Sequence, residues 1–258
     1  MYSKEKTSLG DVRVAQMAAG FDGVLDWREL EECGLTHEGV RWREQHGRLH
    51  RLHQGVYAVG HPNVSQKGLF IAAVKACRPD AALSHRAEAA RSGIRPWSGG
   101  DIEVTTRAGT TKHHHGIKVH RSAPMTRADL MVRDGILVTN PTWTVVALAA
   151  VLSRGDLRSA VREALGMQLV SVRGLLALLD RLGPVRGSRT LRKVLARALP
   201  TRSELEDVVY DVIVGGGFVP PLVNEPLRLE GRTVIPDFRW PEQARRTLPV
   251  APEAHRKR

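Results

Sequence analysis

Between Asp26 and Val59 the chain carries a capping residue or a glycine stop wherever a helix or strand would begin or end. Asp26 and Glu29 form a D-x-x-E capping box, in which each side chain satisfies the other residue's free backbone N–H, and Leu30 opens the apolar face of the helix that follows. Gly34 supplies the left-handed stop that ends it. Thr36 heads a second helix, expected from His37 to about His46, which Gly47 halts. Arg48–Leu52 and Gly55–Val59 then alternate around His53-Gln54-Gly55 and predict a hairpin, with Leu49, Leu52, Val56 and Val59 on its apolar faces. A short helix over Asp11–Ala19 precedes the pair. Helix, tight turn, helix and hairpin in this order predict a winged helix-turn-helix over residues 1–61.

The charge points to a partner. Lys and Arg number 39 against 27 acids, a formal net charge of +12. That balance favours a polyanion, most often nucleic acid. In a helix-turn-helix the second helix enters the major groove and the wing meets phosphate. His37, Arg41 and Arg43 lie on that helix, and Arg48, His50 and Arg51 on the wing. Arg41 is the expected base contact, with Arg43, Arg48 and Arg51 expected on phosphates. A solvated basic face on a protein-interaction module stays open as the alternative. Trp42 is expected in the core, because Val40 alone is a thin apolar face.

Residues 62–199 read as an α+β unit joined to the wing with almost no linker. Helices are expected over Gln66–Ala76, after Ser84 as a capping hydroxyl, over about Thr142–Leu152, Asp156–Ala164 and Val172–Leu182. Strands are expected over Asp101–Thr106 and Gly116–Arg121. His113-His114-His115 reads as a polar loop and not a metal site, because successive side chains on a strand face opposite ways. Cys33 and Cys77 are far apart and support neither a disulfide framework nor a thiolate metal site. With no signal-peptide core and no membrane-length apolar run, a cytoplasmic location is expected.

Four segments carry a family resemblance: GRLHRLHQGVYAVGH (Gly47–His61), LSHRAEAARSGI (Leu83–Ile94), IEVTT (Ile102–Thr106) and GILVTNPTWTVVALA (Gly135–Ala149). Together they resemble actinobacterial proteins related to the AbiEi antitoxins of type IV toxin–antitoxin systems. The resemblance implies an N-terminal winged helix followed by an α+β domain. It also implies double-stranded DNA and a cognate toxin, of nucleotidyltransferase type, as partners. A homodimer fits repressors that read paired half-sites. The chain departs from the family at Trp143 and Ala147, where relatives commonly carry arginine and aspartate.

Many such proteins continue into a domain similar to very-short-patch-repair endonucleases, and residues 200–240 resemble its opening half. Thr201 or Ser203 can cap a helix bearing Glu204 and Glu206, and a hairpin around Glu230-Gly231 leads to Asp237 on the strand RTVIPDFRW. Glu206 (or Glu204) and Asp237 would be the remnant catalytic acids. Trp240-Pro241-Glu242-Gln243 is present, but the acid-bearing strand that follows it in relatives is not. Residues 241–258 read as a disordered basic tail, with Glu253 its last carboxylate. The fold class expected is thus α+β: winged helix-turn-helix, central α+β domain and an incomplete restriction-endonuclease-like segment. The function implied is a DNA-binding AbiEi-like antitoxin and autorepressor without catalysis, cofactor or metal. The alternative is a metal-dependent endonuclease, which alone would require Mg²⁺.

Overall fold

Local capping chemistry builds the front of the chain. In the computed structural model, which describes residues 2–107, 114–196, 204–223, 225–229 and 232–240, the order begins α1 (Tyr2–Ala19), β1 (Val24–Asp26), α2 (Trp27–Glu32), α3 (His37–Gln45), β2 (Leu49–His53) and β3 (Val56–Val59). The Glu29 amide donates to Asp26 Oδ1 at 3.1 Å and the Asp26 amide to Glu29 Oε2 at 2.8 Å, completing the box. Gly34 takes φ +87°, and Thr36 Oγ1 accepts the Gly39 amide at 3.1 Å. Two features were not expected. The first helix begins well before Asp11, and β1 joins the hairpin as a third strand, in the order β1-β3-β2. Three residues ending in a helix cap carry too little pattern to announce a strand. Leu25, Leu30, Val40, Leu49 and Tyr57 close a core among these elements.

Next come α4 (Gln66–Ala76), β4 (Ala81–Leu83), α5 (His85–Arg91), β5 (Ile102–Thr106) and β6 (Ile117–Arg121). A short 3-10 turn (Arg127–Asp129) leads to β7 (Leu130–Arg133), β8 (Ile136–Thr139), α6 (Pro141–Leu148), α7 (Arg154–Gly166), α8 (Val172–Leu182) and α9 (Ser188–Leu195). The strands form a mixed sheet, β6-β5-β4-β8-β7, parallel at β5–β6 and β4–β8 and antiparallel elsewhere. Helix α4 covers one face; α5 packs on β5 from the other, with α6 against α5 and α8 behind α6. Ser84 stands at the N-cap of α5 but does not cap it; the Glu103 carboxylate accepts the Arg86 amide instead, at 3.0 Å.

Hairpin β7–β8 had gone unread, although its signal was present. Asp134-Gly135 between apolar runs favours a two-residue turn with both central φ angles positive, and they are +51° and +74°. A Cβ on Gly135 would stand 2.2 Å from Cε1 of Phe21, a ring packed against both core clusters. Gly135→Ala should therefore destabilise the protein by about 1–3 kcal/mol in a urea titration. A neutral result would mean that the Phe21 ring moves aside freely.

Residues Met1–Leu195 form one compact unit and Ala196–Arg258 a second. No packing boundary falls at residue 61, because Val24 and Val56 share a cluster with Phe70, Ile71 and Val74 of α4 and with Leu83, Val104 and Val138 of the sheet. The second unit holds α10 (Glu204–Gly215), β9 (Leu222–Val223), β10 (Leu227–Leu229), β11 (Arg232–Val234) and β12 (Phe238–Arg239). β10 pairs with β11, and β9 with β12. The single strand expected over Arg232–Trp240 is thus two short ones, and Asp237 sits on the bend before β12. Pro236 interrupts the run, since proline has no N–H to give a ladder. Val234 and Ile235 are exposed. Thr201, Ser203, Glu230, Gly231 and the tail over 241–258 lie outside the described residues, as does His113.

Candidate nucleic-acid interface

Helix α3 turns Val40 inward and leaves His37, Arg41, Trp42, Gln45 and His46 exposed. His37, its first residue, stacks on Trp27 with ring centroids 3.8 Å apart. Among the described residues Arg41 makes no ion pair, so its donors face solvent unspent. Arg51, on β2, gives Nε and Nη2 to the two Glu44 carboxylate oxygens at 3.1 and 3.2 Å. That bond raises the Arg51 pKa further, keeping the charge fixed. His37, Arg41, Glu44, Gln45 and Arg51, with Trp27 and Tyr57, line a cleft of about 650 Å³ between the helix and the hairpin.

Arg43 does not belong to this surface. Its side chain is 6% exposed; Nε and Nη2 meet Asp11 Oδ1 at 2.8 and 2.7 Å, and Nη1 donates to the Gly39 carbonyl at 3.0 Å. A guanidinium so spent holds α1 to α3 and cannot reach a phosphate, which corrects its expected role. Arg48 is more than half exposed; it donates to Asp11 Oδ2 at 2.7 Å and lies over the Trp42 ring at 5.3 Å. His50 is half-buried, and its Nε2 has no hydrogen-bond partner among the described residues. Trp42 departs from expectation in the other direction. It is 40% exposed and stacks on His46 at 4.1 Å, because the aliphatic stem of Arg43 takes the inward position that an apolar residue would otherwise need. The aromatic groups Trp27, Trp42 and Tyr57 beside these cations were the part of the surface missed, and only their spacing around the basic residues hinted at it.

A second polar cluster lies in the same unit. Strand β5 alternates apolar and polar residues, which in sequence reads as one buried and one solvated face. Both faces are buried: Glu103 is 0% and Thr105 1% exposed. Around them gather Ser84, His85, Arg86 and His120. The LSHRAEA segment contains three of these residues, and in sequence it suggests a capped helix and a family motif but no buried polar cluster.

Among the described residues the acids of the C-terminal segment stand apart. Asp237 is exposed on its bend, and the Glu204 and Glu206 side chains fall outside the described residues. Glu225 is committed to Arg239 at 2.7 Å. Among the described residues no three His, Cys, Asp or Glu side chains are grouped to hold an ion. A Mg²⁺ centre needs several oxygen ligands, and the described residues offer none grouped for it. Among the described residues no helix is long and apolar enough to cross a membrane. No family model matches the chain, and no curated protein matches it.

Proposed function

We infer that the protein is a DNA-binding regulator, an AbiEi-like antitoxin and autorepressor, whose first 61 residues act as a winged helix. The observation that carries this reading is the exposed face of α3, where Arg41 stands beside the wing without an ion-pair partner among the described residues. An unpaired arginine on a helix flanked by a hairpin suits a guanine edge in the major groove. Arg51 suits the backbone. Its pair with Glu44 is exposed and contributes little, so exchange for a phosphate costs little. The net charge of +12 supports the same partner. Arg48 lies over the Trp42 ring and also donates to Asp11, so it contributes a phosphate contact at the wing's edge only by leaving Asp11.

The test is a salt-resolved binding titration with duplex DNA from upstream of the protein's own gene, set against random duplex. Arg41→Ala is expected to lose about 1–3 kcal/mol at one base position and to relax sequence preference there. Arg51→Ala is expected to weaken all duplexes alike and to lower the salt slope by about one. Equal affinity for upstream and random DNA in the unmodified protein would end the regulator reading. Because the α3 surface is complete within the front unit, binding should survive Asp237→Asn unchanged.

A further inference from the structure

The helical face of the central sheet contains a cleft of about 370 Å³ whose chemistry the DNA reading does not use. Ile102 and Val104 of β5, with Ile117 and Val119 of β6, face the α4 core. Their alternates, Glu103, Thr105, Lys118 and His120, therefore face the opposite layer, where α6 and the end of α8 stand. The layer interface is polar on the sheet side and apolar on the helix side, and the two sides do not fill the space between them.

The polar side is built. Glu103 accepts from the Arg86 amide at 3.0 Å, from Arg86 Nε at 3.1 Å and from His120 Nε2 at 3.2 Å. Burial pushes its pKa up, but the His120 and Arg86 hydrogen bonds outweigh burial and bring it to about 2, so its charge is spent internally. The His120 ring stacks on His85, centroids 3.7 Å apart. Thr105 Oγ1 donates to Ser84 Oγ at 2.8 Å. Ser84 Oγ also lies 3.0 Å from His85 Nδ1 and 3.4 Å from the Glu103 carbonyl oxygen. Ser84 thus holds the His85 ring through Nδ1, and His85 lines the cleft. His85 holds this position at φ +50°, a left-handed backbone uncommon outside glycine, and such strain gathers at functional sites. On the rim, Lys118 and Arg186 are exposed, and neither makes an ion pair among the described residues. The opposite wall is Trp143, Val146, Leu182 and Val185. The cleft is thus cationic at its mouth and apolar along one wall.

We propose that this cleft binds a small organic anion with an aromatic body, its acidic group held by Lys118, Arg186 and His85 and its rings laid against Trp143. The inference is independent of DNA binding. A phosphate monoester and an aryl carboxylate share this chemistry. Isothermal titration of the full-length protein with adenosine 5′-monophosphate and with 1-naphthoate distinguishes them. Inorganic phosphate and neutral 1-naphthalenemethanol serve as the halves of the ligand. Saturable binding of either anion is expected at least about tenfold tighter than either half. Lys118→Gln/Arg186→Gln, both on exposed side chains, should weaken it by about tenfold or more while leaving the melting temperature unchanged. Ala147→Leu, which narrows the cleft from α6, should weaken it without touching a charge. Failure of both anions to saturate overturns the proposal. So does equal binding of the neutral alcohol, or unchanged affinity in the folded double variant.

Discussion

Replacing Lys75 with methionine should lower stability by about 3–5 kcal/mol, because it takes from the buried Glu29 carboxylate the nearer of its two cations and leaves only Arg78, at 3.7 Å. The Lys75 ammonium is fully buried; it donates to the Val24 carbonyl at 2.8 Å and to Glu29, the same residue that closes the capping box of α2. Burial pulls its pKa below the ordinary lysine value, opposed by the Glu29 carboxylate beside it. Its charge also sits 3.7 Å from the centroid of the Phe21 ring. One side chain thus joins α4 to β1 and α2, and Arg78 reinforces the link through Asp26 at 2.6 Å. For a unit of this size the loss corresponds to a fall in melting temperature of about 6–20 °C. Lys75→Met combined with Glu29→Gln should recover part of it, since the buried negative charge is then gone. Thermal melts followed by circular dichroism decide the matter. A shift under about 1 kcal/mol in the single variant would mean that water reaches Glu29 freely.

Acid should unfold the protein in two stages set by the histidine cluster. Burial, with the neighbouring His120, Lys118 and Arg86 charges, lowers the His85 pKa to about 3, against the opposing pull of Glu103. The folded state therefore resists protonation of His85. Its contribution is complete above the ordinary histidine pKa and drains as pH falls from about 6.5 towards 3, on the order of 5 kcal/mol in all. Glu103 behaves as a depressed carboxylate. It stabilises the fold above about 4.5, and that contribution is lost as pH falls towards 2. Between about pH 6.5 and 4.5 only the histidine stage operates in this pair. His85→Asn keeps a residue tolerant of positive φ and should flatten the slope there by about 1 kcal/mol per pH unit. Urea denaturation of both proteins at stepped pH gives the two slopes directly. Parallel curves would show that His85 is protonated as easily in the fold as out of it.

What sequence alone determined lies within single turns of the chain. Asp26 with Glu29 and Thr36 with Gly39 each satisfy a backbone group three residues away, as Ser65 does with Gly68, a cap not among those expected. The residues that close such a bond are written side by side, so helix starts and glycine stops were legible from Asp26 to Ala76. Asp134-Gly135 belonged to the same class and was legible too, though unread. Tertiary structure decided which of two faces meets water. Whether Arg43 reaches outward depended on Asp11, 32 residues earlier, and its inward turn left Trp42 outside. Whether Glu103 and Thr105 are a solvated strand face depended on α5, from earlier chain, packing on β5, with α6 and α8 of later chain behind it. Alternation fixes that two faces differ, but burial is set by what packs on each, and the packing elements are distant in sequence. The histidine cluster arises for that reason: Ser84, Glu103 and His120 come from three segments, and only the pairing of β4, β5 and β6 brings them into contact.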